Sequence, residues 1–292
     1  MTEPRLNHVL CLDARGLHRM AYWEWGDPAC RHVVVCVHGL TRQGRDFDTL
    51  ARALCGQVRV VCPDVVGRGR SERLADPMAY ALPTYVADMV TLLARIDAET
   101  LDWVGTSMGG LIGLSLAGLP AQAGNPVRRL VVNDVGPRIE PVSLARIGAY
   151  VGQRLHFASL DEAVDYQMTV AAGFGPHTRE QWRALTAPLL VAQADGGYVL
   201  HYDPAIALPF AAMSAELAVA GEVALWAAWD RIGARTLLLR GAESDLLSHA
   251  TALEMTRRGP RAELVEFEGV GHAPMLVQPG QVAVVRDFLL GA

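Results

Sequence analysis

Apolar positions along this chain fall into short continuous runs separated by stretches with a helical period. His8–Ala14 and His18–Trp25 are strand-like around Arg15-Gly16, which predicts an antiparallel hairpin stopped by Gly26-Asp27-Pro28. His32–Val37, Arg59–Cys62, Leu101–Val104, Arg129–Asn133, Thr236–Arg240 and Glu263–Phe267 are short runs without alternation. Runs of that kind suit strands covered on both faces. In Pro83–Ile96, Val86, Met89, Val90 and Leu93 recur at i, i+3, i+4 and i+7, so a helix with that apolar face is predicted. Further helices are expected from Met108 to about Leu119, stopped by Pro120, and near Ser248–Arg257 and Gln278–Leu290.

Strands alternating with helices imply βαβ units and a parallel sheet, hence an α/β fold. One segment breaks the alternation. From Pro137 to Ile232 no strand run is evident; the stretch reads as helices rich in Tyr, Phe and Trp, punctuated by Pro176, Pro188, Pro204 and Pro209. The expected organisation is therefore a core made of residues 1–136 and 233–292 and a helical cap, 137–232. Such a cap belongs over the carboxyl edge of the strands, where ligands of parallel sheets bind.

Composition narrows the function. With 51% hydrophobic and 20% charged residues, the chain has ample material for a core. A formal net charge of −5 argues against a nucleic-acid partner, which needs a basic face. All 26 basic residues are Arg, so chemistry that requires a lysine amine is excluded. Five cysteines (Cys11, Cys30, Cys36, Cys55 and Cys62), without C-x-x-C spacing, suggest neither a disulfide framework nor a zinc site. With no apolar signal segment in MTEPRLNHVL and no apolar run long enough to span a bilayer, a cytoplasmic protein without a membrane partner is expected.

The chemistry begins at Gly105-Thr106-Ser107-Met108-Gly109, a G-x-S-x-G between a predicted strand and a predicted helix. That turn exposes Ser107 and sets it beside the N–H groups of a helix start. A serine hydroxyl needs a base, and His272 in Gly271-His272-Ala273 follows the last strand at the same edge. The base needs a carboxylate to orient it. Asp245, after the strand Thr236–Arg240, is preferred because that strand should neighbour the one leading to His272. Asp134, after Arg129–Asn133, is the rival, and Glu243 a third choice. The oxyanion would take backbone N–H groups from Met108 and from Leu40, in the loop His38-Gly39-Leu40-Thr41. His38 is expected to hold that loop. Arg42, Gln43, Arg68 and Arg70 are ambiguous between loop support and substrate contact. No cofactor and no metal ion are called for, and the expected partners are a small acyl substrate and water.

His38-Gly39 after a strand, Asp64-x-x-Gly67-x-Gly69-x-Ser71, the Gly105–Gly109 elbow, Asp245 and Gly271-His272 together resemble the α/β-hydrolase fold superfamily. The resemblance spans nearly the whole chain. It implies a mostly parallel eight-stranded sheet flanked by helices, a helical cap inserted after the sixth strand, and a structural role for the Asp64–Ser71 turn. It also implies esterase-like hydrolysis of a small ester, a lactone or a short hydroxyacid oligomer through an acyl-enzyme. Ser107 in place of Asp separates the chain from epoxide hydrolases and haloalkane dehalogenases of the fold. Carbon–carbon bond hydrolases usually carry Asn and Trp where this chain has Thr106 and Ala273. They remain an alternative, as do cofactor-free perhydrolases, a non-catalytic small-ligand receptor and, for assembly, a homodimer through the cap.

Overall fold

The computed structural model describes residues 3–120, 127–194 and 196–291. Its strands, in chain order, are β1 (Arg5–Asp13), β2 (Gly16–Trp25), β3 (His32–Val37), β4 (Arg59–Pro63), β5 (Thr100–Thr106) and β6 (Val127–Asn133), then three short strands in the inserted segment, β7 (His156–Phe157), β8 (Leu190–Ala192) and β9 (Tyr198–Leu200), and finally β10 (Arg235–Gly241) and β11 (Glu263–Phe267). The helices are α1 (Asp48–Leu54), α2 (Leu82–Ile96), α3 (Met108–Ala117), α4 (Pro141–Tyr150), α5 (Leu160–Val170), α6 (Arg179–Thr186), α7 (Ala207–Ala211), α8 (Ala215–Trp229), α9 (His249–Met255) and α10 (Pro279–Leu290).

Eight strands form one sheet in the order β1-β2-β4-β3-β5-β6-β10-β11. Only β2 runs against the rest. Successive side chains of a strand point to opposite faces, and the valines of β3 follow that rule. Val33, Val35 and Val37 join Trp103, Leu130 and Leu238 in a core under α2, α3, α8 and α9. Val34 and Cys36 join Val60, Val104, Val131 and Leu239 in a second core under α1 and α10. Both faces of the parallel strands are thus dry, which is why these runs lack polar alternation.

Three sequence expectations need correction here. The buried face of α2 is Tyr85, Asp88, Met89, Leu92 and Ile96, whereas Val90 is exposed. The face is rotated because Asp88, a polar residue, is accommodated inside by His18, whose Nε2 lies 3.1 Å from both carboxylate oxygens. Helix α1 was not expected; its Leu50, Ala51 and Leu54 supply too short a pattern to stand out, yet they are fully buried. The inserted segment is not wholly helical. Its three strands form a small antiparallel sheet in the order β7-β9-β8. The signal was two short apolar runs flanking Gly196-Gly197, a hairpin pattern.

Candidate active site

The elbow follows from local sterics. Ser107 has φ 53° and ψ −117°, a conformation that costs roughly 1–3 kcal/mol for a residue with a side chain. Tight packing enforces it: a β-carbon on Gly105 would strike the Gly109 carbonyl, and one on Gly109 would strike the carbonyl of Val37. The Ser107 N–H is anchored on the Asn133 carbonyl at 2.9 Å.

From this turn the Ser107 hydroxyl lies 3.0 Å from His272 Nε2. His272 Nδ1 lies 2.7 Å from Asp134 Oδ2. The expectation that Asp245 would orient His272 is therefore corrected. Asp134 follows directly on the last residue of β6, has φ 55° and is fully buried. The loop after β10 serves it instead of supplying the acid: the Gly241 N–H donates to Asp134 Oδ1 at 3.0 Å and the Ser244 hydroxyl to Oδ2 at 2.7 Å. Asp245 lies four residues beyond the end of β10, and its side chain is 36% exposed. There it accepts two hydrogen bonds from Arg146 of α4, at 2.6 and 2.8 Å, which hold it below the usual carboxylate range. Asp245 and Glu243 do line the cavity over Ser107, but neither is hydrogen-bonded to His272.

The loop after β3 is built around His38. Its Nε2 accepts from the Val65 N–H at 2.9 Å, so the Nδ1 proton faces the Gly39 carbonyl at 2.7 Å. Burial pushes His38 down to about 3, assisted by the Arg68 and Arg42 cations, so the ring is neutral. The Gly39 carbonyl also accepts from the Arg42 N–H at 3.2 Å. A trans peptide sets its two polar groups on opposite sides, so the Leu40 N–H is turned away from these partners. The loop passes so near the elbow that a β-carbon on Gly39 would lie 3.7 Å from that of Ser107. Met108 occupies the first position of α3, where an N–H has no intrahelical acceptor.

A cavity of about 450 Å³ opens over Ser107 and His272. Core residues such as Leu40, Phe47 and Met275 line one side, and Tyr150, Val170 and Phe174 of the inserted segment line the other. That segment is tied down at the base: the Gly271 N–H donates to the Gly173 carbonyl at 2.7 Å, and the Gln278 side chain to the Pro176 carbonyl at 2.7 Å.

Residues 34–285 match the model of the alpha/beta hydrolase family. The chain belongs to this family. The chain is 54% identical over 293 residues to a 3-hydroxybutyrate-oligomer hydrolase of Cupriavidus necator, with 99% of each chain covered. Two solved structures agree: an alpha/beta hydrolase from Novosphingobium aromaticivorans (33% identity, TM-score 0.85) and a putative hydrolase from Rickettsia typhi (29% identity, TM-score 0.88), each with 99% of both chains covered.

Asn133, which shapes the candidate site, stands out by no sequence signal, whereas Arg68, Arg42 and Asp64, singled out in the sequence, gain definite partners in the structure. Asn133 donates through Nδ2 to the Thr106 hydroxyl at 3.0 Å and to the Pro274 carbonyl at 2.7 Å, joining the elbow strand to the His272 loop. Arg68 is fully buried and donates to the Leu40 carbonyl at 2.9 Å, the Val66 carbonyl at 2.7 Å and the Tyr85 hydroxyl at 3.0 Å, with Met108 Sδ at 3.6 Å. It braces both halves of the prospective oxyanion site. Arg42 lines the cavity, but Asp46 takes its Nε and Nη2 at 2.7 Å each and the Leu185 carbonyl takes Nη2 at 3.2 Å. Asp64, pushed up to about 6 by burial, ties Gly44, Arg70 and Trp23 into the structural turn expected there.

Among the described residues, the buried Cys11, His18 and Asp88 bring potential metal-ligating atoms within 4.8 Å of one another. Burial and the neighbouring Asp88 push the Cys11 thiol up to about 12. His18 pairs with Asp88 through Nε2, so the cluster reads as a polar contact within the core. No single helix among the described residues is long and apolar enough to cross a membrane.

Proposed function

We propose that this hydrolase cleaves the ester links of short 3-hydroxyacid oligomers through a Ser107–His272–Asp134 triad. The observation that carries the chemistry is the unbroken chain of contacts from the Ser107 hydroxyl through His272 to the buried Asp134. The relative from Cupriavidus necator, named for 3-hydroxybutyrate oligomers and alike from end to end, supports the substrate class. The cavity suits such a substrate: it is mostly apolar, and its two arginines, Arg42 and Arg146, are paired with Asp46 and Asp245.

Ser107 Oγ attacks the ester carbonyl while His272 Nε2 takes its proton. The carbonyl oxygen becomes an alkoxide held by the N–H groups of Leu40 and Met108. Collapse breaks the carbon–oxygen bond, and His272 returns the proton to the departing hydroxyl. Water, deprotonated in turn by His272, releases the acyl group from Ser107. Asp134 keeps the Nδ1–H tautomer and stabilises the imidazolium without taking the proton. Residues 137–232 act as the cap that covers this centre, with residues 1–136 and 233–292 as the catalytic core.

The test is turnover of the 3-hydroxybutyrate dimer and trimer, followed by release of monomer, alongside labelling by a fluorophosphonate. Wild type should cleave and be labelled, and Ser107→Ala should do neither. Labelling without cleavage of either oligomer would keep the serine hydrolase and remove the substrate class.

A further inference from the structure

Asp245 does not meet His272, and the partner it does meet faces the same cavity. Two arginines line that cavity. Arg42 is closed off: its side chain is 10% exposed, paired with Asp46 and stacked on the Phe174 ring at 5.6 Å. Arg146, on the first helix of the inserted segment, is 40% exposed. It lies where the cavity meets solvent.

The ion pair with Asp245 leaves one edge of Arg146 open. A guanidinium has five N–H donors in a plane. Asp245 takes Nε at 2.6 Å and one hydrogen of Nη2 at 2.8 Å. The second Nη2 hydrogen and one on Nη1 form the other edge, which suits a carboxylate in bidentate geometry. Tyr150, one turn along α4, brings its hydroxyl to the same guanidinium and lines the cavity too.

We propose that Arg146 is a specificity residue that takes the free carboxylate at the acid end of the substrate. This rests on the oligomer reading given above. In a hydroxyacid oligomer, the carboxylate of the terminal unit is separated from the scissile ester oxygen by two carbons. Binding it at Arg146 would hold the leaving half while the ester carbonyl reaches Ser107. Asp245 fixes the guanidinium in place, and its negative charge tempers the attraction. That matters for release, because the departing hydroxyacid carries the same carboxylate that docked.

The experiment compares kcat/KM for the free-acid 3-hydroxybutyrate dimer with that for its terminal carboxamide. In Arg146→Gln the acid-to-amide ratio should fall roughly five- to tenfold, mostly through KM, as expected for a half-exposed charged contact. Arg146→Lys should restore part of the ratio. Asp245→Asn should raise it, because the cation loses its counter-charge. Added salt should lower the ratio in wild type and leave it flat in Arg146→Gln. An equal loss on both substrates in Arg146→Gln, or a lowered ratio in Asp245→Asn, would overturn the proposal.

If wild type cleaves neither dimer, the oligomer reading fails by itself. Arg146 is then judged by inhibition of p-nitrophenyl butyrate hydrolysis by 3-hydroxybutyrate and by its amide. Weaker inhibition by the anion alone in Arg146→Gln supports the carboxylate site, and unchanged inhibition overturns it.

Discussion

Asp134 and Asp245 follow adjacent strands at one edge of the sheet and meet opposite environments. Asp134 is fully buried, accepts from a backbone amide and a hydroxyl, and lies 2.7 Å from His272. Asp245 is 36% exposed and paired with an arginine of the inserted segment. The first is held rigidly by the sheet edge; the second sits against the inserted segment, where solvent screens its charge. A carboxylate that must orient an imidazole through every turnover needs the first kind of setting. A carboxylate that tunes a cation for arriving and departing substrate suits the second.

The comparison can be broken or sharpened by substitution. The largest effect should come from Ser107→Ala, with a fall of about 10⁶-fold in kcat on a p-nitrophenyl ester. Both aspartate loops should stay folded in it, so a lowered Tm beyond a few degrees would mean that Ser107 also supports the edge. Next, Ser244→Ala removes one donor from Asp134 and none from Asp245. A hydrogen bond to a charged group is worth about 1.5–3 kcal/mol, so kcat should fall at least tenfold. No change would mean that the Asp134 carboxylate is fixed without its neighbours.

A smaller effect concerns His38, which holds the loop on the far side of Ser107. Its folded value is depressed to about 3, while in the unfolded chain it is the ordinary 6.5. Between these values the unfolded state binds the extra proton, so the stability that His38 contributes is lost as pH falls below 6.5. The cost of His38→Gln, from urea unfolding, should therefore shrink by roughly 1.4 kcal/mol for each pH unit of acidification in that window. A cost independent of pH would contradict a neutral, buried His38.

Much of this was legible in the chain. The Gly105–Gly109 elbow is a local steric pattern, and its neighbours enforce it as sterics require. His272 follows the last strand, so the sheet alone carries it to the edge where Ser107 lies. The acid was not legible in the same way. Strand adjacency was read correctly, since β10 lies between β6 and β11. It did not show that the loop after β10 would cradle Asp134 through Gly241 and Ser244 while sending Asp245 toward the inserted segment. That choice depends on the positive φ of Asp134 and on Arg146, far away in sequence. Asp88 in α2 teaches the same lesson: a polar residue entered the core because His18, on another element, was there to meet it.

The central claim is that the buried carboxylate, and not the exposed one, serves His272. It is tested most directly by measuring kcat for Asp134→Asn and Asp245→Asn side by side on one p-nitrophenyl ester near neutral pH. The account predicts a loss on the order of 10⁴-fold for Asp134→Asn, since an amide would favour the wrong imidazole tautomer. It predicts less than about tenfold for Asp245→Asn, as befits a solvent-screened ion pair. The reverse order, with Asp245→Asn the crippled variant, would contradict it.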